Sequence, residues 1–204
     1  MAKKIKQSPK LPAETRRDQL LKSARKLFLR KGYRMTTTEE IARNAGLTKG
    51  ALYFHFKNKE DILFELVKSI ASQYDRAIET AMAQEFSPGD LFGLLLKLHA
   101  KESGLPDYWD VVDIYVQALR IPRIKRYLSQ RLVQAIEGFA ENMNSAYVTD
   151  RKTATDLGVL TIALCDGLSI TRLLAPSLVD LDRQARLFGE FVDANKKSPK
   201  TRTK

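Results

Sequence analysis

An all-α protein is predicted by three features of the 204-residue sequence. Helix-forming residues dominate; the 10 Gly and 7 Pro fall mostly where helices would end; and apolar residues recur at three- and four-residue steps, with no strand-like alternation. With 44% hydrophobic residues the chain can bury a sizeable core, which excludes wholesale disorder. About nine helices are expected, three of them in a basic N-terminal head and the rest in a body.

Residues 1–12 are lysine-rich, contain two prolines and read as a flexible basic arm. From Ala13 onward Leu20, Leu21, Ala24, Leu27 and Phe28 form one apolar stripe, and Gly32 stops that helix. Thr36, Thr37 and Thr38 offer caps for a short helix over 37–44. Gly46 then makes a turn, and Thr48 caps a second short helix over 49–56. Asn58 with Asp61 three residues on resembles a capping box and opens a helix over 59–83, roughly 37 Å long.

Ser87-Pro88 with Asp90 starts the next helix, whose buried face is Leu91, Leu94, Leu95 and Leu98. Gly104 and Pro106 break the chain, and helices follow over 107–120, 122–147, 153–174 and 181–195. The expected organisation is an arm over 1–12, a three-helix head over 13–58, a helical body over 59–195 and a disordered basic tail over 196–204.

Charge separates the same parts. Residues 1–60 hold 16 basic and 5 acidic residues, 61–194 hold 14 and 19, and the last ten hold 5 and none. A basic head on a slightly acidic body points to one element that meets phosphate and another with a different task. The single cysteine, Cys165, excludes an internal disulfide and a multi-cysteine metal site; it sits in an apolar run and reads as an inert core thiol. No signal peptide is visible at the N-terminus, and no apolar run approaches the ~20 residues that span a bilayer. A cytoplasmic protein with no membrane partner is expected.

Within IARNAGLTKGALYFHF, Ala42, Gly46 and Leu52 stand where a helix-turn-helix needs a small residue, a turn glycine and an aliphatic anchor. Ile41 and Ala45 fill the other inward positions. The second helix then turns outward Thr48, Lys49, Gly50, Tyr53, Phe54 and His55, with its N-terminus directed into a major groove.

The segment GYRMTTTEEIARNAGLTKGALYFHFKNKEDIL resembles the DNA-binding signature of the TetR family of regulators. The matching residues are Gly32-Tyr33, Thr36-Thr37, Ile41-Ala42, Ala45-Gly46, Gly50, Leu52-Tyr53, His55-Phe56 and Lys59-Glu60, in about 35 consecutive positions without a gap. The resemblance implies that Thr37 and Thr38 touch phosphate. It places Thr48, Lys49 and Gly50 in the groove, with Lys49 the candidate for direct base contact. It further implies that Tyr53 and His55 bond phosphates and that Lys59 pins the backbone from the other side. Phe54 stands where the family often has Tyr or His; facing DNA, it can touch a thymine methyl but bonds no phosphate. Phe56 reads as core.

The resemblance also implies a homodimer on palindromic operator DNA, repression, and release by a small-molecule effector of apolar or amphipathic character. For the dimer interface the candidates are Leu157, Leu160, Leu164 and Leu168 on one helix and Phe188 and Val192 on the next; their spacing serves a monomer core equally well. For ligand contact they are Phe92, His99, Trp109, Asp113, Tyr115, Phe139 and Met143. Trp109 and Asp113, four apart, would suit a cation, whereas Arg120, Arg123, Lys125 and Arg126 would suit an anion or form a solvated basic turn. Two histidines, one cysteine and no nucleophile–base pair at recognisable spacing argue against an enzyme. No cofactor and no metal are expected.

Overall fold

The computed structural model describes residues 12–82, 87–99, 108–144 and 150–194. They are almost wholly helical, as predicted, and contain no strand among them. The basic tail and nearly all of the arm lie outside the described residues.

The chain divides into two compact units, residues 1–68 and 69–204. In the first, α1 (Ala13–Lys31), α2 (Thr38–Asn44) and α3 (Lys49–His55) surround a core of Leu20, Ala24, Leu27, Phe28, Ile41, Ala42 and Leu52. α4 (Lys59–Met82) opens as expected, with the Asn58 side chain accepting the Asp61 N–H at 2.8 Å. The division falls inside α4 rather than at the expected 58/59. The physical reason is that the start of α4 carries four buried residues, Ile62, Leu63, Leu66 and Val67, and that Glu65 pairs with Arg17 of α1.

The second unit continues with α5 (Pro88–His99), α6 (Tyr108–Ala118), α7 (Pro122–Asn144), α8 (Arg151–Leu174) and α9 (Leu181–Ala194), and a 3₁₀ turn Pro176–Leu178 joins the last two. α5 lies along α9 and α7 along α8. Glycine makes the α5–α9 approach possible: a Cβ on Gly89 would stand 3.0 Å from the Gly189 Cα. The two helices and α8 enclose Phe92, Leu96, Cys165 and Ala185, with the Phe92 and Phe188 rings 4.4 Å apart. A second cluster joins Leu91, Phe139, Ala140, Ala154 and Val192. Burial pushes the Cys165 thiol up to about 12, with Asp166 adding to the shift, which leaves it protonated and inert as expected.

α8 starts two residues before the predicted 153, because Asp150 caps it by accepting the Thr153 N–H at 2.9 Å. Its composition also corrects the expectation about membrane spans. Arg151–Leu174 is long and apolar enough to cross a bilayer, with a mean hydropathy of 1.6 over its most apolar 18 residues. The excess arises because α8 is apolar on two sides. Ala154, Gly158, Thr161 and Cys165 are buried within the unit, while Val159, Leu160, Leu164, Ile170, Leu173 and Leu174 are exposed.

Candidate nucleic-acid interface

The outer face of the head is built by local rules. Thr37 caps α2: its hydroxyl accepts the Glu40 N–H at 3.2 Å while the Glu40 carboxylate accepts the Thr37 N–H at 2.9 Å. Behind α2, buried Ser23 donates to the Ile41 carbonyl at 2.8 Å and accepts from the Asn44 amide at 2.9 Å, which ties α1 to α2. The turn is a Schellman motif, with the Leu47 N–H on the Ala42 carbonyl at 2.9 Å and the Gly46 N–H on the Arg43 carbonyl at 3.1 Å. It places Gly46 at φ +69°, where a Cβ would be strained.

α3 starts immediately after this turn. The Thr48 hydroxyl accepts the Ala51 N–H at 3.1 Å, and buried Leu52 and Phe56 turn the other face outward. Thr48, Lys49, Gly50, Tyr53 and Phe54 are exposed and His55 is half-buried. Phe54 is 79% exposed, a large apolar ring with only an edge contact to His55 at 5.1 Å among its ring neighbours. A Cβ on Gly50 would meet only the Thr48 hydroxyl, at 3.9 Å, so the protein itself does not require glycine there.

Two residues expected on phosphate have their donors engaged inside the head. The Thr37 hydroxyl lies 3.0 Å from the Glu40 carboxylate and donates to it. The Lys59 ammonium donates to the carbonyls of Tyr33 (2.9 Å), Arg34 (3.2 Å) and Thr36 (2.9 Å), and lies 4.5 Å from the centre of the Tyr33 ring. An ammonium has three protons, and all three are used. Burial, with Lys31 nearby, lowers the Lys59 pKa from its ordinary value. Lys59 is thus a staple for the α1–α2 loop, a role its sequence position did not reveal.

Sequence reasoning also missed Glu39. Its carboxylate pairs with Lys49 and accepts from the Thr38 hydroxyl at 3.2 Å; that hydroxyl is 3.2 Å from the Tyr53 hydroxyl. The Lys49 ammonium in turn stands 5.8 Å from the Tyr53 ring centre. Hydrogen bonding to Glu39 raises the Lys49 pKa, and hydrogen bonding to Lys49 lowers that of Glu39, so both stay charged. Ten residues separate the two, a distance that only the turn geometry closes.

The body distributes its candidates differently from the expectation. Phe92 and Phe139 are core residues, and Val192 is 3% exposed within a core cluster; packing on neighbouring helices covers most of their surface. Leu157, Leu168 and Phe188 are half-buried against the same clusters, whereas Leu160 and Leu164 are exposed. Leu187 and Phe191 of α9 are exposed apolar residues that the sequence reading passed over. Asp113 is exposed, as are Arg120, Arg123, Lys125 and Arg126, which form a solvated basic turn.

The side chains of His99, Trp109 and Met143 lie outside the described residues. Tyr115 is half-buried, and burial pushes its phenol up to about 12, with Tyr74, Tyr127 and Asp75 adding to the shift against Arg131. Arg131 of α7 pairs with Asp75 of α4 beside it. Among the described residues no group of three or more His, Cys, Asp or Glu is placed to hold a metal.

Residues 20–66 match the sequence profile described as bacterial regulatory proteins, tetR family. Along almost the whole chain the protein is 29% identical to the HTH-type transcriptional regulator AcrR of Shigella flexneri, over 91% of this chain and 89% of AcrR. It is 41% identical to HbdR of Aromatoleum sp. strain CIB over 76 residues, 37% of this chain and 33% of HbdR, so that match spans only a third of the relative. In fold it resembles the Pseudomonas aeruginosa repressor NalD, with a TM-score of 0.62, 23% identity and coverage of 90% of this chain and 96% of NalD. It likewise resembles SmeT in its triclosan complex, with a TM-score of 0.68 at 19% identity over 93% of this chain and 98% of SmeT. The profile covers the helix-turn-helix and the AcrR alignment carries the likeness through the body: the chain resembles the TetR family of bacterial transcriptional regulators along most of its length.

Proposed function

We propose that the chain is a repressor that, as a homodimer, reads a palindromic operator and is released from it by an apolar or amphipathic small molecule. The observation that carries the reading is the exposed start of α3, where Thr48, Lys49 and Gly50 stand clear of the core with Tyr53 and Phe54 a turn behind. Free backbone amides at a helix N-terminus, an ammonium and a side-chain-free glycine together suit close approach to a major groove. Lys49 reads a base edge, Phe54 meets a thymine methyl, His55 bonds a phosphate, and Thr38 and Tyr53 exchange the hydrogen bonds of their hydroxyls for phosphates on binding.

Dimerisation is assigned to the exposed apolar face of α8 and α9, with Leu160, Leu164, Leu187 and Phe191 as its centre. Large hydrophobic side chains exposed on neighbouring turns of a helix suit an interface with a second copy. The effector is assigned to the middle helices near Tyr115. SmeT in complex with triclosan and EbrR in complex with imidazole are structural relatives that hold small molecules, which supports an effector for this chain. Lowering operator affinity by two orders of magnitude needs about 2.7 kcal/mol of preference for the released arrangement.

The test is selection of bound sequences from random duplex DNA, followed by affinity for the winner. A palindromic winner that Lys49→Ala and Gly50→Ala bind more weakly, with unchanged melting of the protein, is the expected result. Gly50→Ala is informative because an alanine fits the free protein, so a loss of affinity reports the approach of DNA. No enriched sequence, with both variants binding like the parent, would overturn the reading.

A further inference from the structure

Lys49, the residue best placed to read a base, is not free on the head's surface. It is held by Glu39, a carboxylate on the first turn of the neighbouring helix. The same carboxylate accepts the Thr38 hydroxyl proton, so the 3.2 Å contact between Thr38 and Tyr53 is made by the Tyr53 hydroxyl as donor. Lys49 closes the ring over the Tyr53 face. Three of the groups facing DNA are thereby ordered by one anion that the resemblance to the family does not assign.

We propose that Glu39 is a specificity-determining positioning residue: it holds Lys49 off the phosphate backbone and aims it at a base edge. The inference rests on the operator-reading role of Lys49 proposed above. The physics is a competition for one ammonium. Without a local carboxylate, a lysine at the start of a groove-facing helix binds whichever phosphate is nearest, and that attraction is blind to sequence. Paired with Glu39, the lysine contributes little net charge to a random duplex. It leaves the carboxylate only for a site that offers good acceptors at one place, such as the O6 and N7 of a guanine. Glu39 is half-exposed at the DNA-facing side and is not needed to fill the core, so its removal leaves the fold in place. The cap of α2 belongs to Thr37 and Glu40, not to Glu39.

The test compares the parent, Glu39→Gln, Lys49→Ala and the double variant, all in the full-length protein. Affinities for the selected operator and for a random duplex are measured over a range of salt. One released phosphate contact steepens the log–log salt slope by about 0.9 and raises random-duplex affinity about eightfold at 0.1 M salt. Glu39→Gln is expected to show both changes, with the operator-to-random ratio falling by a similar factor. Both effects should vanish when Lys49 is already alanine, as coupling through one side chain requires. Parental slope and ratio in Glu39→Gln, with Lys49→Ala still weakening the operator, would overturn the inference and leave the operator reading standing. Changes that persist in the Lys49→Ala background would also overturn it, because loss of a nearby negative charge alone would then explain them. Lys49→Ala without effect in the parent would remove the operator reading itself and this inference with it.

Discussion

The contrast between Lys49 and Lys59 shows how little residue type says about role. Both lie in the basic head and the resemblance puts both on DNA, yet one ammonium is exposed beside a carboxylate and the other is closed in by three carbonyls. Removing the Lys59 side chain leaves the carbonyls of Tyr33, Arg34 and Thr36 without that donor. Lys59→Ala is therefore expected to lower stability by roughly 1–3 kcal/mol in urea denaturation, while the salt slope of DNA binding stays within a fraction of one contact. A slope reduced by about one, with parental stability, would return Lys59 to the phosphate backbone. Ser23 teaches the same lesson from inside. Buried on α1, its hydroxyl donates to the Ile41 carbonyl and accepts from the Asn44 amide, both on α2.

At the scale of the element, α2 is only seven residues long and depends on its ends. Its capping carboxylate, Glu40, bonds Lys31 as well as Thr37, and these contacts lower its pKa to about 2 from 4.5. A carboxyl whose pKa is depressed by folding stabilises the native state fully above its unfolded value. That contribution is lost as pH falls from about 4.5 toward 2. Glu40→Gln is thus expected to be less stable than the parent at neutral pH and to converge with it near pH 2, read from helical circular dichroism during acid titration. An offset that does not change with pH would show that the charge of Glu40 is irrelevant to α2. The capping signals themselves were legible in the sequence at Thr37, Thr48 and Asn58, because capping depends on residues three positions apart.

For the whole molecule, the exposed apolar face of α8 and α9 is the feature with the largest consequence. Leu160, Leu164, Leu187 and Phe191 are between 44% and 63% exposed, large apolar side chains on the two helices proposed to dimerise. Leu164→Glu adds a charge to this face without entering the core. It is expected to yield a folded monomer by sedimentation and to lose affinity for a full palindrome while retaining half-site binding. A variant that sediments as the parent dimer would place the interface elsewhere.

What the sequence determined by itself was whatever local spacing encodes: the helices of the described residues, the caps at Thr37, Thr48 and Asn58, the turn glycine, the outward face of α3 and the family whose profile the head matches. Apolar periodicity marked a stripe on α8 and another on α9, but it did not divide their residues between inside and outside. Tertiary structure alone decided that Val192, Phe92 and Phe139 are core while Leu187 and Phe191 are not, since burial depends on which helix arrives opposite each stripe. It alone brought Glu39 to Lys49, and three backbone carbonyls to Lys59, because those encounters depend on how the chain turns between them.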